Sequence, residues 1–367
     1  MRILVFSWKD LRHPWAGGSE VNLHEQARRW LESGHQVTMF TSRPRGSRFR
    51  DDIDGVKVYR AGWRVGTFLF APLAYLLFLR RRCDVVLDII NGIPFCSPLF
   101  CRKPAAALMH HVHRDMFIPE LGPVLGRVGI AIERYLIPLV YMRVPFICVS
   151  GSTRDSIARL LWRGSSMDIR VVYNGIDHGT FTPGDSVKFP EPTVLYLGRL
   201  KHYKKVPRLI GLMPLVREKV PDAELIIAGD GEDAPAIEEQ VARMDAGGFV
   251  RLLGYVGRDE KVRLYRQAWV TATSSGTEGW GLTVIEANAC GTPAVAFDVP
   301  GLNESIEDGV TGLLASDDRE FVEGLVKILS DRELRERMSA NAVEWAGRFS
   351  WEEAARRTLE ILEEAGC

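Results

Sequence analysis

The chain has 367 residues, with 47 Lys and Arg balanced by 47 Asp and Glu and an apolar fraction of 46%. This is an ordinary globular composition, long enough for two domains of about 100–200 residues each, and with no fixed-period repeat or low-complexity tract it excludes repeat arrays and disordered binders. The zero total is a sum of unlike halves: residues 1–190 carry 26 basic against 16 acidic side chains, and residues 191–367 carry 21 against 31, so the two halves are expected to meet different partners.

Taken in chain order, Arg2–Phe6 is too short an apolar run for a signal peptide and reads as a first strand, so a cytoplasmic chain is expected. Leu23, Ala27, Trp30 and Leu31 recur at helical spacing, and Gly34 is the residue expected to stop that helix. Further strands are predicted at Gln36–Thr41, Val85–Ile90, Ala105–Met109, Phe146–Val149 and Arg170–Tyr173. Asp52-Ile-Asp54 has the D-x-D form of a metal-holding motif, but Gly55 and the run that follows it read as a turn entering a strand.

The apolar run Phe68–Leu79 spans 12 residues, short of the roughly 18 to 20 that cross a bilayer. Within residues 65–82 it predicts a helix covering one face of the sheet; Arg80, Arg81 and Arg82 leave open a membrane-surface element with a basic end. The six cysteines, at 83, 96, 101, 148, 290 and 367, show neither C-x-x-C nor zinc spacing and read as reduced thiols.

Pro and Gly interrupt regular structure over Thr182–Pro192, where the charge sign also changes. Beyond it, strands are predicted at Val194–Leu197, Glu224–Ala228, Val250–Leu253, Trp269–Thr273 and Ala294–Phe297. Strands alternating with helices imply parallel sheets covered on both faces. The expected architecture is α/β: two facing Rossmann-like doubly wound parallel-sheet domains, residues 1–183 and 184–350, and a C-terminal helix over 351–367 packing back on the first. Such sheets bind ligands at their carboxyl ends, and helix N-termini there favour anions.

Two segments carry the chemistry. In Ser274–Pro293 a strand runs through a Gly-rich turn into a helix; Gly279 and Gly281 let the backbone approach a ligand, and the N–H groups of Gly281, Leu282 and Thr283 suit a phosphate. Glu286, one turn on, is placed to accept from ribose hydroxyls, against the alternative of a merely solvated acidic helix start. In Leu197–Lys205 a strand ends at Gly198 and two cations follow, Arg199 and Lys204, a planar fork and a point charge that together suit a diphosphate. A solvated basic loop is the competing reading.

The pairing of Gly198-Arg-Leu and Lys204 with Glu278 and Glu286, followed by Ala287-Asn-Ala-Cys-Gly-Thr-Pro293, resembles family 4 of the retaining glycosyltransferases with the GT-B fold. The likeness runs along nearly the whole chain, through Gly17-Gly18-Ser-Glu, Cys148-Val-Ser150, Val172-Tyr-Asn174-Gly-Ile-Asp177, Ala228-Gly-Asp-Gly231, Gly254-Tyr-Val256 and Gly309-Val-Thr-Gly. It implies that Arg199 and Lys204 hold the donor diphosphate, Glu286 the ribose, the backbone of Gly281, Leu282 and Thr283 the distal phosphate, and Val256 the base. It also implies that Glu278 lies beside the donor sugar and that Gly17 and Gly18 cap the phosphates. Lys205 stands where the family usually has Gly, and Trp280 where Phe is more usual.

The first half is then expected to bind the acceptor. His110, His111 and His113 follow the strand Ala105–Met109; His110 matches the family's catalytic-side histidine, with His111, His113 and Asn91 as acceptor-side candidates. The three histidines lack a ligand-spaced carboxylate or cysteine, so no metal is expected. The resemblance implies metal-independent transfer of a sugar from a nucleoside-diphosphate sugar, UDP- or GDP-linked, to an acceptor hydroxyl on a carbohydrate, a lipid-linked molecule or a small molecule. No other cofactor and no nucleic acid is expected, and peripheral membrane contact is left open. The alternatives are a catalytically silent nucleotide-sugar-binding partner subunit, or another GT-B enzyme such as a sugar-nucleotide epimerase or a phosphorylase.

Overall fold

The computed structural model describes residues 1–114, 116–161 and 167–366. The chain forms two compact units, Met1–Gly175 with the returning Trp351–Cys367, and Ile176–Ser350.

The first unit has strands β1 (Arg2–Phe6), β2 (Gln36–Thr41), β3 (Arg50–Ile53), β4 (Val56–Arg60), β5 (Val85–Ile90), β6 (Ala105–Met109), β7 (Phe146–Cys148) and β8 (Ile169–Val171). Their order in the sheet is β3-β4-β2-β1-β5-β6-β7-β8. All pairs are parallel except β3 with β4. That exception follows from Asp54-Gly55, a two-residue loop with φ of 51° and 89°, which is the backbone a tight hairpin requires. The expected turn at Asp52–Asp54 is therefore there: the Gly55 N–H donates to Asp52, and Asp54 is paired with His24 at 2.8 Å.

Alternation decides which side each strand residue faces. Leu4, Phe6, Val86 and Ala105 meet the helix Gly66–Ala74 and the π turn Tyr75–Leu79, through Ala71, Ala74, Tyr75 and Leu79. Ile90, Ala107 and Met109, the next residues on the same sheet face, meet Ile137 and Tyr141. The segments 66–79 and 117–141 therefore cover neighbouring strips of one face. Beneath them Asp88 is fully buried, its carboxyl pushed up by burial and held by Tyr141 and by the Ser97 N–H at 3.1 Å. On the other side lie the helix Gly18–Glu32, stopped at Gly34 with φ of 83°, and the helix Trp351–Ala365, whose Ala355 carbonyl accepts from Trp30 Nε1 at 2.8 Å.

The second unit has β9 (Thr193–Leu197), β10 (Glu224–Ala228), β11 (Val250–Gly254), β12 (Val270–Thr273), β13 (Ala294–Phe297) and β14 (Gly312–Ala315), in the order β11-β10-β9-β12-β13-β14 and parallel throughout. The chain moves outward from β9 to β11 and then returns to the far side of β9, so the sheet reverses direction between β9 and β12. Among the described residues no helix is long and apolar enough to cross a membrane, and the described cysteines are free thiols. Cys367 lies outside the described residues.

Candidate active site

The reversal between β9 and β12 leaves a crevice at the carboxyl ends of these two strands, the place where open α/β sheets take ligands. The loop after β9 carries Arg199 and Lys204; the loop after β12 carries Ser274 to Gly281. Three bonds tie the loops together: the Ser274 hydroxyl donates to the carbonyls of Lys204 (2.9 Å) and Lys205 (3.0 Å), and the Gly276 N–H donates to the Tyr203 carbonyl (3.0 Å).

Lys204 forms an ion pair with Glu278, which also accepts from the Ser275 hydroxyl at 2.7 Å. Burial pulls the Lys204 ammonium down, but Glu278, with Tyr203 and Tyr196, more than offsets it, so the group stays charged. Arg199 is half-buried and has no ion pair among the described residues. One cation of the predicted couple is thus held by a carboxylate and the other is free to meet an anion. The loop after β10 sets the height of this floor. A Cβ on Gly229, whose φ is +150°, would lie 1.8 Å from the Gly198 carbonyl oxygen, and one on Gly231 would lie 2.2 Å from that of Leu200, so only glycine fits there.

Gly281, with φ of 77°, caps the helix Leu282–Ala289. The Leu282 and Thr283 N–H groups have no partner among the described residues, leaving two donors at the positive end of the helix dipole. Glu286 is buried rather than solvated: Lys261 Nζ lies 2.5 Å from its Oε2 and the Tyr265 hydroxyl donates to it at 3.0 Å. Burial, and then Glu286, push the Tyr265 phenol up. Val256 sits in the turn between β11 and the helix Arg258–Gln267, its backbone unpartnered.

Sequence reasoning missed Lys261, Tyr265 and Ser275. Lys261 and Tyr265 stand four apart on one helix face, a visible spacing, but nothing local says that the face turns toward Glu286. Trp280 is buried edge-on against Phe349 at 4.8 Å. Lys205 has φ of 51°, the left-handed conformation for which glycine is the usual choice.

In the first unit the order also reverses, between β1 and β5. The loop after β1 ends at Gly17, whose N–H donates to Glu20 at 2.7 Å, and Lys9 lies 3.2 Å from the same carboxylate. Gly18 opens the helix that follows. Asn91 and Gly92 follow β5, and His110 follows β6. His110 is buried, neither ring nitrogen has a hydrogen-bond partner, and burial, with His111 next, lowers it to about 3, so the imidazole is neutral. His111 and His113 stack at 4.0 Å, and the His113 N–H donates to Glu133 at 2.7 Å. Among the described residues no three His, Cys, Asp or Glu side chains converge to hold a metal.

Two Rossmann-like sheets, each with a reversal of strand order between central strands, define a GT-B protein. The family models agree: residues 16–180 match "Glycosyltransferase Family 4" and residues 185–345 match "Glycosyl transferases group 1". The chain belongs to the GT-B glycosyltransferases that join these two parts.

An uncharacterised glycosyltransferase of Methanocaldococcus jannaschii is 26% identical over 98% of this chain and 97% of its own. The D-inositol 3-phosphate glycosyltransferase of Thermobifida fusca is 31% identical over 59% of this chain, which spans 54% of that relative. Among solved structures, the sucrose-phosphate synthase of Thermosynechococcus elongatus has a TM-score of 0.83 at 20% identity, covering 99% of this chain and 98% of the other. The Anabaena protein HepE, solved with UDP-glucose, has a TM-score of 0.76 at 18% identity, covering 99% of each chain.

Proposed function

We propose that the chain is a retaining glycosyltransferase that moves a sugar from a nucleoside-diphosphate sugar to an acceptor hydroxyl, without a metal. The carrying observation is that the unpaired Arg199, the charged Lys204 and the free amides of Leu282 and Thr283 belong to loops of one sheet at its switch point. Negative charge grows on the diphosphate as the glycosidic bond breaks, and pre-placed donors stabilise it without reorganising. The acceptor hydroxyl attacks on the face that the diphosphate leaves, and its proton passes to a diphosphate oxygen.

Glu278 holds Lys204 and lies beside the donor sugar. Glu286, fixed by Lys261 and Tyr265, takes the ribose hydroxyls, and the free backbone of Val256 reads the base. Gly17 and Gly18 are assigned to the donor phosphates, and neutral His110, with His111, His113 and Asn91, to the acceptor side. The solved neighbour bound to UDP-glucose supports a uridine diphosphate donor.

The acceptor half is basic, and segments 66–79 and 117–141 turn apolar side chains outward. Leu69 is 78% and Leu77 72% exposed, and Val124 and Leu139 are similarly bare. Exposed Arg127 and Arg134 lie within the second stretch, and exposed Arg80, Arg81, Arg82 and Arg143 follow directly on the ends of the two. Apolar side chains beside cations fit an anionic lipid surface, each charge adding about 1 kcal/mol. An anionic or lipid-linked acceptor, met at the cytoplasmic face of a membrane, follows from that.

Incubating the purified chain with a panel of nucleotide sugars and acceptors, and scoring nucleoside diphosphate release with and without chelator, tests this reading. Product anomers read by NMR should match the donor. Donor binding without release would instead make the chain a silent binding subunit. Vesicles containing phosphatidylglycerol should sediment the protein, and Leu69→Glu with Leu77→Glu should abolish that.

A further inference from the structure

The loops after β1 and β2 and the β3–β4 hairpin border an open surface cavity of about 470 Å³ lined by Arg12, Arg45, Ser47, Arg48, Asp51 and Arg60 among others. That is a common size for a small-molecule site. It opens at the carboxyl ends of parallel strands, and the donor reading uses none of it.

The charges around it do not balance. Arg60 is buried and committed: its Nε meets Asp10 at 2.6 Å and its Nη1 meets Asp51 at 2.9 Å. Arg12 shares the same Asp51 at 3.1 Å. The Arg60 hydrogen bond holds the Asp51 carboxyl below its ordinary range, so it stays ionised. Arg45 and Arg48 have no carboxylate within reach among the described residues. Two carboxylates therefore face four guanidiniums, and the surplus of two positive charges sits on one concave wall. Like charges gathered there repel, and a bidentate anion between the two free forks removes the repulsion.

Next to Pro14, which lines the cavity, His13 and Trp15 of the loop after β1 meet Trp63 of the segment after β4 in an aromatic cluster. His13 stacks on Trp63 at 5.8 Å and 16°, and Trp15 lies 5.5 Å from Trp63. Trp15 is 43% and Trp63 38% exposed, and the Arg64 guanidinium lies over the Trp15 ring, 5.6 Å from its centre. His13 Nε2 and Trp8 Nε1 are buried with no hydrogen-bond partner. An indole face next to cations suits a sugar ring that carries an acidic substituent, because ring C–H groups pack on the indole while the anion meets the guanidiniums.

We propose that this cavity binds an anionic group, phosphate or carboxylate, carried by the acceptor. Arg45 and Arg48 clamp the anion, and Trp15 and Trp63 receive the sugar. The proposal rests on reading the first unit as the acceptor half and adds the chemical class of acceptor and its place.

The test uses the full chain and the double variant Arg45→Ala/Arg48→Ala, whose positions are exposed and unpaired, so the fold is kept. Calorimetric titration with glucose 6-phosphate, glucuronate and glucose should show wild type preferring an anionic sugar by about tenfold or more. The double variant should lose that preference and keep its affinity for uridine diphosphate. A preference found only on phosphatidylglycerol vesicles, and lost in the double variant, also supports the cavity and makes the anion lipid-borne.

Equal binding of charged and neutral sugars by wild type, with no vesicle effect, overturns the proposal, as does a preference retained by the double variant. Anion preference without nucleoside diphosphate release from any donor supports the cavity and refutes the transferase reading. Transfer to neutral acceptors with no anion preference does the reverse.

Discussion

Arg199→Ala and Lys204→Ala remove charges with the same proposed role but opposite structural settings, which lets catalysis be separated from stability. Arg199 has no ion pair among the described residues, so its loss strands no buried charge and should change stability by less than about 0.5 kcal/mol. Its proposed contact strengthens only as the diphosphate leaves, so its removal should raise the barrier by about 2–4 kcal/mol, or about 30- to 900-fold in kcat.

Lys204 is different. Its side chain is 16% exposed and that of its partner Glu278 13%. Breaking a buried pair costs about 3–5 kcal/mol, reduced here to about 2–3 because Ser275 still donates to the stranded carboxylate. The assays are nucleoside diphosphate release at saturating donor and the urea unfolding midpoint. Both variants should lose turnover, and only Lys204→Ala should lose stability. Wild-type kcat in Arg199→Ala would refute the diphosphate assignment; wild-type stability in Lys204→Ala would refute the buried pair.

Three further outcomes are expected. Glu286→Gln removes the carboxylate held by Lys261 and Tyr265 and should raise donor KM about tenfold with kcat little changed, since ribose contacts are alike in ground and transition states; an unchanged KM counts against the ribose role. Gly229→Ala should cost about 3 kcal/mol or more, because its Cβ meets the Gly198 carbonyl at 1.8 Å. Gly211→Ala, in an exposed helix interior with nothing within 4 Å, should instead stabilise by about 0.5–1 kcal/mol; denaturation midpoints moving the same way in both would refute the packing argument. Burial holds His110 at about 3 and His13 at about 4, whereas in the unfolded chain each titrates near 6.5. The unfolded state therefore binds more protons below pH 6.5, and stability falls with pH until the folded-state values are reached, by up to about 1.4 kcal/mol per pH unit for each histidine. Urea midpoints from pH 7 to 4 should fall less steeply for His110→Gln, and an unchanged slope would contradict its burial as a neutral ring.

The central strands were legible because a parallel strand buried on both faces is a mostly apolar run, as in Val85–Ile90, broken only by Asp88, and in residues 225–228. Less visible was the hairpin strand Arg50–Ile53, whose charged residues lie at a sheet edge and carry no apolar pattern. The run at 65–82 was legible as a helix but not as one half bare, because an apolar side chain gives no local sign of whether a neighbour covers it. In the candidate site, Arg199, Lys204 and the Gly-rich turn could be read from order along the chain. The partners of Glu286 could not, because the helix bearing Lys261 and Tyr265 touches Glu286 only once β9, β12 and their helices are packed.

The sequence by itself determined the alternation of strands and helices, the strained glycine positions and the cationic and acidic side chains at strand ends, since these depend on local sterics and spacing. Tertiary structure alone decided which charges are spent and which are free. Lys204 is neutralised by Glu278, 74 residues away, while Arg199, Arg45 and Arg48 are left unpaired. Whether a charge finds a partner depends on distances of a few ångströms between segments remote in the chain, and those distances exist only after the sheets have formed.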